Sequence, residues 1–91
     1  MALIASFTTE NMTEESYATV LRRLAAAGAA APLGRMHHTC FGDPAKLQVV
    51  DVFDTPEHFD AFGKLLLPIL TDVGVRLNPP AVGRVHNIIR G

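Results

Sequence analysis

Apolar and polar positions follow two rhythms along this chain, and the change between them is sharpest across Leu47–Val73. Leu47-Gln48-Val49-Val50-Asp51-Val52-Phe53 is β-branched, aromatic and almost continuously apolar. That composition favours a strand covered on both faces. Within two residues the pattern turns helical. Asp54 or Thr55 can act as N-cap, Pro56 suits the first helical position, and Glu57 and Asp60 suit the first turn. Phe59, Phe62, Leu66, Ile69, Leu70 and Val73 then recur at helical spacing. Asp51 is the exception, a carboxylate inside the apolar strand.

The same rhythms divide the remainder. Ala2–Thr8 reads as a first strand with Leu3, Ala5 and Phe7 on one face. Thr13 is the expected N-cap of a first helix, in which Tyr17, Val20, Leu21, Leu24 and Ala27 form the apolar stripe and Gly28 the C-terminal stop. Arg35–Phe41 reads as a second strand. Strict alternation places Met36, His38 and Cys40 on one side and Arg35, His37, Thr39 and Phe41 on the other. Gly42-Asp43-Pro44-Ala45 has hairpin composition. A register pairing Phe41 with Lys46 sets His38 opposite Val49 and Met36 opposite Asp51, so that His38 and Asp51 share a face as diagonal neighbours; a one-residue slip would separate them. Pro68 is expected to kink or break the second helix near Lys64–Leu67. Ala81–Arg90 is expected as the last strand.

The order βαββαβ in one domain of 91 residues is the ferredoxin-like α+β plan. Right-handed crossovers place the first and third strands at the centre of a four-stranded antiparallel sheet, with both helices on one face. The other face then needs a cover, and a second copy of the chain supplies it as a symmetric homodimer.

Composition narrows the function. A net charge of −1 with both signs scattered argues against nucleic acid. The single Cys40 excludes an internal disulfide and any multi-cysteine metal motif. Met1–Phe7 is too short and uncharged for a signal peptide, and no apolar run approaches the ~20 residues that span a bilayer. A cytoplasmic protein without membrane association is the expectation. No phosphate-binding glycine loop or nucleophile elbow occurs. His37 and His38 are adjacent on a strand and point apart, and no His-x-His or His-x₃-His spacing exists, so no metal site is expected.

Three stretches, Pro32-Leu33-Gly34-Arg35-Met36-His37-His38-Thr39, Leu47–Glu57 and Arg84-Val85-His86-Asn87, resemble small bacterial proteins of the dimeric α/β-barrel superfamily, near the antibiotic biosynthesis monooxygenase-like domains. The pattern is Pro-x-Gly…His in the second strand, Val-x-Asp-x-aromatic in the third and Val-His-Asn in the fourth. It spans nearly the whole chain, with Phe53 where tryptophan is more usual. The resemblance implies a homodimer with a pocket between each sheet and its helices. Relatives oxygenate aromatic polyketides without metal or flavin, isomerise lactones, bind haem or respond to stress; the absence of tryptophan counts against the haem-degrading branch. Two functions stay open. In one, a cofactor-independent monooxygenase or isomerase acts on a small hydrophobic or aromatic molecule. His38 is its base, Asp51 orients His38, His86 is a further polar contact, and Met36, Phe53, Phe59, Phe62 and Leu66 line the pocket. In the other, the chain is a non-catalytic dimer that binds a small ligand or serves in a stress response. The residues also admit a plainer reading, with Asp51 and His38 a satisfied structural pair, His86 an interface histidine, His37 and His58 solvated, and Cys40 a small buried hydrophobe.

Overall fold

The computed structural model describes residues 1–91. Its elements are β1 (Leu3–Phe7), α1 (Glu14–Ala26), β2 (Arg35–Phe41), β3 (Gln48–Phe53), α2 (Pro56–Val73) and β4 (Ala81–Arg84). Local chemistry sets the helix ends. Thr13 caps α1, its hydroxyl accepting from the Ser16 amide while the Ser16 hydroxyl accepts from the Thr13 amide. Thr55 caps α2 by accepting from the His58 amide, and Pro56 follows at the first helical position. Gly74, in the left-handed region at φ 88°, closes α2.

The sheet order is β2-β3-β1-β4, all antiparallel. β1 and β3 therefore occupy the centre and the fold is the ferredoxin-like α+β arrangement read from the sequence. Leu3, Ala5 and Phe7 of β1 and Val49 and Phe53 of β3 join Val20, Leu24, Phe62, Ile69 and Leu70 of the helices in one buried cluster. Phe53 is wholly enclosed, edge-on to Phe59 and tilted against Phe62.

Three details depart from the sequence reading. First, β2 and β3 pair two residues further along than expected. Phe41 opposes Gln48 and His38 directly opposes Asp51. A shift of two keeps every side chain on its face, so the two still share the helix-facing side, now as direct partners. A bulge between Arg35 and His37 breaks the alternation at Met36. It turns Arg35, paired with Phe53, onto the helix side and leaves Met36 exposed.

Second, α2 runs unbroken through Pro68. Phe62 before the proline and Ile69 and Leu70 after it are all buried in the same core, which holds both halves on one axis. Pro68 itself is exposed, so the Lys64 carbonyl that loses its bond lies where water can reach it. Third, β4 stops at Arg84 instead of Arg90. β1 begins at Leu3, and the last bond in this direction runs from the Val85 amide to the Ala2 carbonyl. Beyond that point no neighbouring strand remains, and Ile88 and Ile89 are exposed. No helix is long and apolar enough to cross a membrane.

Candidate functional site

The site lies between the helix-facing side of the sheet and the two helices. β3 delivers Asp51 from its centre, between Ala5 of β1 and His38 of β2. Its side chain is only 3% exposed. An isolated carboxylate at that depth would be costly, and His38 answers it: Nδ1 lies 2.5 Å from Asp51 Oδ1. That contact assigns the Nδ1 proton to the Asp51 side. In the neutral ring Nε2 then carries the lone pair, and it faces Tyr17 Oη at 2.6 Å from α1. The Tyr17 hydroxyl donates to it, and the two rings are nearly parallel, with centroids 6.0 Å apart. Tyr17, His38 and Asp51 thus form one continuous hydrogen-bonded chain from helix to central strand.

Burial, the neighbouring Cys40 thiol and the Asp51 charge raise the pKa of the Tyr17 hydroxyl above the ordinary phenol value, against a smaller lowering by Arg35. Tyr17 is therefore neutral across the usual pH range and able to pass a proton without holding a charge. Burial likewise raises the Cys40 pKa, so its thiol stays protonated and unreactive.

The chain opens onto a narrow cavity of about 50 Å³, which shares Phe7, Phe62, Leu66 and Leu77 with an adjoining groove of about 410 Å³. Phe7, Met12, Val20, Leu24, Phe62, Leu66 and Leu70 give it apolar walls, with Leu21 at the rim, 40% exposed. Tyr17, His38, Asp51, Thr9 and Arg35 are its polar and charged lining. The Thr9 hydroxyl is already engaged, donating to the Leu47 carbonyl and accepting from the Met12 amide.

Of the residues singled out in the sequence, the structure brings together His38, Asp51, Phe62 and Leu66. Phe59 packs on Phe7 and Phe53 outside the cavity lining, and Phe53 lies in the core behind it. Met36 is exposed on the bulge, and His86 is exposed beyond the end of β4. His37 bonds Thr39 on the other sheet face at 2.7 Å. His58 is half-exposed and pairs with Asp54 at 2.7 Å, a contact that lowers the Asp54 pKa. Tyr17 and Arg35 are the residues that sequence reasoning missed. Tyr17 stood in the apolar stripe of α1; its hydroxyl on an otherwise apolar helix face was the available signal. Nowhere do three His, Cys, Asp or Glu side chains converge as a metal site.

No family model and no curated protein matches this sequence. Solved structures do match in shape. A Deinococcus radiodurans protein provisionally assigned as an antibiotic biosynthesis monooxygenase superposes with a TM-score of 0.64 at 14% identity, covering 97% of this chain and 96% of its own. SnoaB, a cofactor-independent oxygenase from Streptomyces nogalater, matches with a TM-score of 0.60 at 16% identity over 99% of this chain and 96% of its own. A protein of unknown function from Nitrosomonas europaea matches at 0.56 and 18% over 100% and 94%. Coverage is near-complete in both directions. The chain has the fold of the antibiotic biosynthesis monooxygenase-like proteins.

Proposed function

We propose that the chain is a cofactor-independent monooxygenase-like or isomerase-like enzyme for a small hydrophobic or aromatic molecule. The observation that carries this reading is the Tyr17–His38–Asp51 chain, set in a cavity whose walls are otherwise almost entirely apolar. Such a chain removes a proton from a weak acid. The Tyr17 oxygen accepts a proton from a phenol, an enol or an activated methylene while its own proton passes to His38 Nε2. The resulting imidazolium is held by the Asp51 carboxylate. His38 works through Tyr17, which is the group nearest the substrate.

The conjugate base is electron-rich. In the oxygenase version an activated methylene gives up four electrons to dioxygen. One oxygen atom becomes the new carbonyl, and the other leaves as water with the two methylene hydrogens. In the isomerase version the proton returns to a different carbon. The likeness to SnoaB, itself a cofactor-independent oxygenase, supports the first version through its fold.

We assign the working form as a homodimer joined through the uncovered face of the sheet, in which Ile4 and Phe41 are about 40% exposed. A non-catalytic ligand-binding dimer is the competing reading. It is favoured by one feature: every bond in the Tyr17–His38–Asp51 chain is satisfied internally, as in a purely structural cluster.

Oxygen uptake and ultraviolet spectra with a panel of phenols, enols and hydroxyquinones decide between them. The enzyme reading expects His38→Ala to lower turnover about 100- to 10,000-fold with affinity within a few-fold. Tyr17→Phe, which keeps the ring, should lose turnover and move the alkaline side of the pH profile. Compounds that bind but never turn over in the wild-type protein would establish the non-catalytic reading.

A further inference from the structure

Arg35 is the one cation in the cavity lining, and its position there depends on the β-bulge. Strict alternation along β2 would send it to the opposite face. The extra residue, Met36, brings it opposite Phe53 on the helix side instead. The guanidinium lies 5.9 Å from the Phe62 ring centroid, at cation–π range, and donates to the Ala30 carbonyl at 3.2 Å. The ion pairs of the protein are Arg23–Asp72, Arg76–Glu10, His38–Asp51 and His58–Asp54, and Arg35 belongs to none of them. One bond and a ring face leave most of its five N–H donors without a protein partner. Arg35 is half-buried, its guanidinium held by an aromatic ring and a carbonyl beside an apolar cavity, with no carboxylate at ion-pair distance.

We propose that Arg35 is the anion-binding residue of this cavity, and that the molecule taken up carries a planar acidic oxygen, a phenol or enol, whose ionised form Arg35 holds. This rests on the proton-removing role given above to Tyr17, His38 and Asp51, and it supplies that role with its missing half. The substrate O–H bond breaks, and the proton goes by way of Tyr17 to His38. The negative charge left on the substrate oxygen meets the guanidinium, whose forked N–H groups suit a delocalised oxyanion. The charged and titratable groups bordering this space are Arg35, Asp51, His38 and Tyr17. Asp51 is the one that repels an anion, and its Oδ1 is already occupied by His38. The carboxylate and the guanidinium together orient the molecule, with its acidic oxygen toward Arg35 and its apolar body against Phe62 and Leu66.

Binding of a pre-ionised probe separates this inference from the proton-transfer reading, because an anion added as such needs no base. The probes are 4-nitrophenolate, held well above its pKa, and nitrobenzene, which has the same ring without the oxygen. Equilibrium dialysis should find the phenolate bound more tightly than nitrobenzene by the wild-type protein. Arg35→Met should weaken phenolate binding about 10- to 100-fold, the worth of a charged hydrogen bond, and leave nitrobenzene unchanged. Unchanged nitrobenzene binding also shows that this variant is folded. Arg35→Lys should recover part of the loss. Equal phenolate binding by wild type and Arg35→Met would overturn the role of Arg35 and leave the His38 chemistry standing. Failure of both probes to bind the wild-type protein would overturn the cavity as an aromatic site, and both readings with it.

Discussion

Asp54 and Asp51 are both aspartates bonded to histidines, and their depth makes them different. Asp51 is buried against His38 on a central strand, whereas Asp54 is exposed at the start of α2. The His58 hydrogen bond lowers the Asp54 pKa below the ordinary carboxylate value. A carboxyl with a lowered folded-state pKa adds stability that is fully present above its unfolded pKa and is lost as pH falls through the folded one. An NMR titration of the Asp54 carboxyl should therefore show a midpoint below that of an unfolded aspartate, and His58→Ala should return it. An unchanged midpoint in the variant would assign the lowering to the Thr55 and Asp54 backbone amides instead. Single residues were legible in the sequence to the extent that their type was anomalous. Asp51 stood out in an apolar strand and led to His38. Tyr17 did not stand out, because a tyrosine on an apolar helical stripe meets the core requirement whether or not its hydroxyl has a partner. Only the approach of α1 to β2 supplies that partner.

Elements were readable where short-range chemistry decides them, and less so where tertiary contacts do. Capping at Thr13 and Thr55 and the glycine stops at Gly28 and Gly74 are local, and the helices begin and end there. The Arg35–His37 bulge has no sequence marker in Met36 or its neighbours, so strict alternation put Arg35 on the wrong face. Gly34, at φ 86° just before the bulge, fixes the entry to β2. Its carbonyl accepts from the Asp54 amide at 2.9 Å, and a Cβ there would collide with the Asp54 carboxylate and the His58 ring. Pro68 shows the opposite error. A strong local breaker is overridden because Ile69 and Leu70 are committed to the core on the far side of it. The missing Lys64 hydrogen bond remains a local cost. Pro68→Ala should restore it and stabilise the protein by about 1–3 kcal/mol, allowing for the core contacts that already hold the helix. Urea denaturation should show the midpoint rising with little change in slope. A fall in the midpoint would mean that the proline ring packs against something worth more than the bond it removes.

At the scale of the whole molecule the two faces of the sheet are unequal. Leu3, Ala5, Phe7, Val49 and Phe53 are buried beneath the helices, whereas Val52 is the one strand residue buried on the other side. That side also carries Ile4 and Phe41, about 40% exposed, with Val50 half-buried between Ser6 and Thr39. A chain of this size has few ways to cover so much apolar sheet by itself, since a small domain buries a modest share of its surface. The topology was legible because βαββαβ order and crossover handedness leave one arrangement, with both helices on one face. The partner is a different matter, because a covering surface on another molecule leaves in this sequence only the apolar character of the face it would cover. A second copy meeting this one through the bare sheets satisfies the apolar face with the symmetry usual for homodimers. A lysine introduced at Ile4 would stand on a central strand of that interface, directly opposite the partner sheet, while remaining tolerable on the open face of a single chain. Native mass spectrometry and sedimentation should accordingly give twice the chain mass for the wild-type protein and the chain mass for Ile4→Lys, with matching far-ultraviolet circular dichroism. A wild-type protein that stays monomeric at micromolar concentration would refute the paired sheets, and the exposed Ile4 and Phe41 with the half-buried Val50 would then have to be met by a different partner.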